Sequence, residues 1–109
     1  MPYLDNVVYT PHAIEQMDER LITSDMVEAA LANGEVIEEY ETSEESRYLI
    51  LGEVIYRRGA PGRVRRGPLH VVAADQAHGR TLVVTAYDPR EGPGNWSDDF
   101  RTRLPEDNG

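Results

Sequence analysis

The stretch P-L-H-V-V-A-A-D-Q-A-H-G-R-T-L-V-V-T-A-Y, Pro68 to Tyr87, constrains the fold more than any other. Two runs of β-branched and apolar residues flank a short polar turn, the pattern of a β-hairpin. Side chains alternate between faces along a strand, so the register of the turn decides which residues share a side. If Asp75 opposes Arg80, His70 lies opposite Thr85 and Val72 opposite Val83, with Tyr87 diagonal to His70. That register puts Leu69, Val71, Ala73, Leu82, Val84 and Ala86 on one apolar face, fit to be covered by helices. His70, Thr85 and Tyr87 then gather on the other face.

The covering helices come from the N-terminal half. Thr10 and Pro11 supply a cap and a first-turn residue, and the spacing predicts a helix over Pro11–Arg20 with Ile14, Met17 and Leu21 as its apolar stripe. His12 and Arg20 stand outside that stripe, roughly 12 Å apart along the axis and about 80° apart around it, so they can flank one concave site. A second helix begins after Thr23 and runs to about Asn33, with Gly34 as its C′ residue and Met26, Val27, Ala30 and Leu31 as its buried stripe. E-V-I-E-E-Y and R-Y-L-I-L-G-E-V-I-Y then read as two strands joined by a polar turn, with Gly52 marking a bulge. The chain before Tyr9 reads as irregular. Near the end, W-S-D-D-F-R-T-R reads as a short helix with Trp96 and Phe100 on its apolar side, followed by a flexible tail at 104–109.

A length of 109 residues with 39% apolar and 28% charged residues fits one domain, 1–109, around a single core. The absence of cysteine excludes disulfides, thiolate nucleophiles and cysteine-based zinc sites. No apolar run approaches the ~20 residues of a membrane span, so a soluble cytoplasmic protein is expected. The histidines at 12, 70 and 78 include no local ligand pair, so neither metal nor cofactor is expected.

Charge is unevenly spread. Residues 1–46 carry 12 Asp or Glu against Arg20 alone, whereas residues 47–109 carry 10 Arg against 8 acidic residues. Arg57, Arg58, Arg63, Arg65 and Arg66 crowd an expected loop at 57–67, and the planar guanidinium suits phosphate. Arg101 and Arg103 are further candidates for phosphate contact. A net charge of −9 works against broad nonspecific nucleic-acid affinity.

H-A-I-E-Q-M-D-E-R-L-I-T-S-D-M-V-E-A-A-L-A-N-G-E-V-I-E-E-Y, with P-L-H-V-V-A-A-D and T-L-V-V-T-A-Y-D-P, resembles the bacterial family catalogued as domain of unknown function 4258. The likeness spans about Tyr9 to Arg103, and the family looks related to the RelE and BrnT toxins and to the barnase/colicin/RelE ribonuclease fold. The resemblance implies an α+β fold, with two N-terminal helices packed on a four-stranded antiparallel sheet and a short C-terminal helix. It also implies RNA as substrate and a small zinc-finger antitoxin as partner. His12 and Arg20 match the family's H-A and E-R motif, His70 its L-H-V strand, and Thr85 and Tyr87 its T-A-Y strand.

The chemistry that follows is that of a metal-independent, toxin-type endoribonuclease. A base takes the ribose 2′-hydroxyl proton, an acid protonates the leaving 5′-oxygen, and arginine offsets phosphorane charge. His70 is the first choice for proton transfer and His12 the second, because imidazole titrates near neutral pH. Arg20 neutralises phosphate, Tyr87 stacks or donates a hydrogen bond, and Thr85 orients His70. The alternative is a noncatalytic acidic module, antitoxin-like or nucleic-acid-mimicking, that engages a basic partner through residues such as Glu38, Glu39 and Glu41.

Overall fold

A computed structural model describes residues 6–41, 45–57, 63–76, 79–91 and 95–104. Its elements in chain order are β1 (Val7–Tyr9), α1 (Pro11–Arg20), α2 (Ser24–Asn33), β2 (Glu35–Glu41), β3 (Ser46–Arg57), β4 (Val64–Gln76) and β5 (Arg80–Tyr87). A 3₁₀ turn follows at Pro89–Glu91. The strands form one mixed sheet in the order β1-β5-β4-β3-β2.

This corrects the expected four-stranded antiparallel sheet. The four long strands are antiparallel neighbours, but β1 adds a fifth that runs parallel to β5, with Val7 beside Thr81 and Tyr9 beside Val83. Three β-prone residues are too few to show a period, yet they pair with the free edge of β5 and so form a strand. Where β1 stops, α1 continues along the same edge: the Thr10 hydroxyl donates to Val84 O, and Arg20 donates to Ala86 O at 2.9 Å.

The two helices cover one sheet face. Ala13 and Met17 of α1 and Met26, Val27, Ala30 and Leu31 of α2 pack with Ile50, Val54, Tyr56, Leu69, Val71, Ala73, Val83 and Ala86. The stripe on α2 is the one expected, but that on α1 is not, since Ile14 is 57% and Leu21 66% exposed. The helix is rolled so that Gln16 and Arg20 face the β5 edge, where they meet Thr85 and Ala86 O. Hydrogen bonding to an open strand edge outweighs the burial of two apolar side chains here.

Two glycines serve close packing: Gly34 also ends α2 as expected, its N–H donating to Ala30 O, whereas Gly52 takes no part in a bulge. Gly34 has φ −82°, so it is not a left-handed cap; a Cβ there would lie 2.4 Å from Ala30 O. Gly52 pairs with Leu69 without a bulge, and its missing side chain lets Ala30 of α2 sit directly on β3. The bulges fall elsewhere, at Ile37 and Val84, where the registers shift.

The C-terminal helix is also absent. Residues 95–104 form a tight turn closed by a Trp96–Arg103 bridge. The Ser97 hydroxyl accepts from Thr102 N–H and the Asp99 carboxylate accepts from Arg101 N–H; such short polar side chains draw backbone donors away from a helix. The Arg-rich loop is shorter than expected, because Arg57, Arg65 and Arg66 lie within β3 and β4. Arg58, His78 and residues 105–109 lie outside the described residues. No helix is long and apolar enough to cross a membrane among the described residues.

Candidate functional site

The register of the β4–β5 hairpin departs from expectation twice. At the turn, Gln76 rather than Asp75 opposes Arg80, and the bulge at Val84 adds a second one-residue shift, so His70 faces Tyr87 instead of Thr85. Two single shifts restore the original parity beyond the bulge, which leaves His70, Val72, Thr85 and Tyr87 on the face away from the helices. Before the bulge the parity is inverted. Val83, with the buried Thr81, takes the helix-side positions expected of Val84 and Leu82.

His70 is fully buried, at 0% exposure. Its Nε2 lies 2.9 Å from Phe100 O, and its Nδ1 lies 3.2 Å from the Tyr87 hydroxyl. A carbonyl only accepts, so Nε2 carries the proton and Nδ1 accepts from the tyrosine. Trp96 and Tyr87 meet the imidazole edge to face, with centroids at 4.4 and 5.2 Å. Burial pushes the His70 pKa below its ordinary value, and Arg103 adds to the shift, while Phe100 O, Glu38 and Asp88 oppose it. Burial likewise raises the Tyr87 pKa, with Arg103 and Arg20 opposing. The pair is therefore a neutral imidazole and a neutral phenol at neutral pH.

Arg20 and Thr85 join this pair from the side. Gln16 links them, accepting from the Thr85 hydroxyl and from Arg20 Nη1, so Thr85 positions Gln16 and does not orient His70. His12 lies about two turns before Arg20 on the same ridge of α1. It is exposed and takes part in none of these contacts. His70 and Tyr87 thus meet directly, Arg20 and Thr85 meet through Gln16, and His12 takes part in neither contact.

The face above His70 is covered by residues 95–104. Trp96 is 8% exposed beneath Arg103, whose guanidinium lies 4.6 Å over its ring and reaches Glu38 at 3.1 Å and the Tyr40 hydroxyl at 3.4 Å. Arg101 pairs with Glu35 and Asp99. Beside this segment runs a groove of about 930 Å³ lined by Leu51, Ile55, Arg66, Pro68, Phe100 and Arg101. Arg66 and Arg101 are two of the arginines expected to meet phosphate. Arg57, Arg63 and Arg65 are exposed outside its lining.

Sequence reasoning missed Gln16, Glu35 and the packing of Trp96 on His70, and expected Glu38 only as a contact for a basic partner. Gln16 carried a signal, since it stands four residues from both His12 and Arg20 and so shares their ridge. The docking of Trp96 had none, because it depends on a turn that joins distant parts of the chain.

No curated protein and no solved structure matches the chain. Residues 9–88 match the model of a family described as a domain of unknown function (DUF4258), a span that holds both helices, all but the first residues of the sheet, and His70 with Tyr87. The chain belongs to that family.

Proposed function

We propose that the chain is a metal-independent endoribonuclease of toxin type, acting on single-stranded RNA at the sheet face that carries His70. The observation that supports the reading is a neutral imidazole hydrogen-bonded to a phenol, His70 to Tyr87, with the Arg20 guanidinium held on the neighbouring carbonyl of Ala86. A tyrosine hydroxyl both donates and accepts. Once Phe100 O is withdrawn, Tyr87 can accept from Nδ1–H and leave the Nε2 lone pair facing the substrate. His70 then removes the 2′-hydroxyl proton, the 2′-oxygen attacks phosphorus, and the 5′-oxygen departs with a proton from water. Arg20 offsets the phosphorane charge, and a 2′,3′-cyclic phosphate and a 5′-hydroxyl result. The groove beside the site holds Arg66 and Arg101 for phosphates and Phe100 for a base, with Glu35, Glu53 and Asp99 also in its lining.

Purified protein on mixed cellular RNA tests this, with His70→Gln as control. Cyclic-phosphate ends are expected from the wild type and not from the variant; identical ends from both sink the reading. Neutralising Arg57, Arg58, Arg63, Arg65 and Arg66 should flatten the salt dependence of binding, whose slope is about −0.7 per phosphate contact for single strands. Copurification with a small zinc-finger protein tests the partner implied by the family's resemblance to toxins.

A second reading has its own support. Glu35 and Glu38 already hold Arg101 and Arg103, as a noncatalytic module for a basic partner would. In that case no new RNA ends appear, and neutralising Glu38, Glu39 and Glu41 weakens binding of an arginine-bearing peptide.

A further inference from the structure

Resting on the ribonuclease reading, we infer that residues 95–104 are a displaceable cover over the His70 site, released when RNA phosphates replace Glu35 and Glu38 as partners of Arg101 and Arg103. The segment is built to move as a unit. Its backbone bonds close on themselves, from Ser97 N–H to Thr102 O, Phe100 N–H to Ser97 O and Leu104 N–H to Asn95 O. Lifting it breaks none of the ladder between the strands.

Its attachment is uneven. Inside, it holds His70 through Phe100 O and the Trp96 ring. Outside, it is latched by arginine–glutamate pairs whose side chains are 51 and 50% exposed for Arg101 and Glu35, and 57 and 22% for Arg103 and Glu38. Exposed pairs of this kind contribute little and are screened by salt, and a phosphate offers the same guanidinium two acceptors in a fitting geometry. The groove beside the latch carries Arg66 and Arg101 along with Glu35, Glu53 and Asp99, so a phosphate entering it must compete with these carboxylates for the guanidinium groups.

Two further observations agree. Phe100 has φ +62°, a left-handed conformation that costs a residue with a Cβ, and it is this conformation that aims its carbonyl at His70. The family match ends at Asp88. His70, Tyr87, Thr85 and Arg20 lie within the matched span and the whole cover lies beyond it.

Trp96 is the sole tryptophan, so the cover reports its own position. In the full-length wild type at low salt, acrylamide should quench Trp96 weakly. Glu35→Gln with Glu38→Gln should raise the quenching constant severalfold with unchanged far-ultraviolet circular dichroism, and should let the His70 imidazole titrate in NMR spectra. Wild-type protein in about 1 M salt, where screening acts within about 3 Å, should move the same way, which keeps the test open if the variant folds poorly. A short 2′-O-methyl oligouridylate, which resists cleavage, should remove the protected His70 Nε2–H signal.

Quenching and imidazole signals unchanged under all three conditions would overturn the cover. If Trp96 and His70 are released but the double variant produces no cyclic-phosphate ends, the cover stands and the ribonuclease reading fails. If such ends appear while Trp96 stays shielded, the reverse holds.

Discussion

His70 is both a fully buried part of the fold and the centre of the proposed site, and truncating it has a calculable effect. His70→Ala removes a ring that is 0% exposed and leaves a cavity under Trp96. Truncating a buried ring or large aliphatic residue to alanine costs about 2–5 kcal/mol. Phe100 O also loses its donor and the Tyr87 hydroxyl its acceptor; an orphaned buried polar group costs about 1–3 kcal/mol, though water entering the cavity recovers part of that. A net loss of about 3–5 kcal/mol is expected.

His70→Gln should behave differently. Its side-chain amide nitrogen can take the place of Nε2 and donate to Phe100 O, so the variant loses chiefly the edge-to-face ring contacts, about 0.5–1.5 kcal/mol each. Thermal melts followed by far-ultraviolet circular dichroism measure both. At roughly 4–8 °C per kcal/mol for a domain near this size, alanine should lower the midpoint by more than about 12 °C and glutamine by about half as much. An alanine variant within about 1 kcal/mol of wild type would refute the packing and bonding described for His70. The same measurement decides whether loss of cleavage by an alanine variant can be read as chemistry at all, or only as damage to the sheet.

Acid should destabilise the fold through the same residue. The His70 pKa is lowered from 6.5 by burial, so its contribution to stability is complete above that ordinary value and is lost as pH falls towards the folded value. Denaturant midpoints should drop between pH 7.5 and 5 with a slope of at most about 1.4 kcal/mol per pH unit from this one proton, and His70→Gln should remove that part of the slope; an identical profile in the variant refutes it. Gly52→Ala should cost about 1–3 kcal/mol by overpacking, because the new Cβ would lie 2.5 Å from Ala30 Cα and 2.6 Å from its Cβ. A melt equal to that of wild type would show that α2 does not rest on β3 at that point.

The parts of the fold that were legible in the sequence are those whose signal is local and repeated. α1 and α2 have the expected bounds because Thr10 and Thr23 accept from Ala13 N–H and Met26 N–H as caps, a pattern written within four residues. The hairpin was legible as a hairpin, but its register was not. Alternation alone cannot count the extra residue at Val84, and apolar residues on both sides of that bulge satisfy either face. Strand β1 and the turn at residues 95–104 share another difficulty. Each exists because a distant segment supplies its partner, β5 for one and Glu35, Glu38 and His70 for the other.

The convergence of His70, Thr85 and Tyr87 on one face survived an incorrect register only because two shifts of one residue cancel in parity. What alternation could not supply was depth. It places a side chain on a face without saying whether that face meets solvent, and here the face carries its own occupant. Trp96 and Phe100 O take the space and the hydrogen bond that a substrate would need at His70. A histidine in that position is either a permanent part of the core or a catalytic group kept neutral until its cover leaves. The two differ in one measurable respect. A core histidine is released only when the β3–β4–β5 sheet unfolds, so its Nε2–H should exchange at the global unfolding rate. A covered histidine exchanges faster than the β4 amides around it, because lifting residues 95–104 leaves the strand ladder intact. Equal protection of the His70 imidazole and the Val71 amide across a denaturant series would place His70 in the core and remove it from the chemistry.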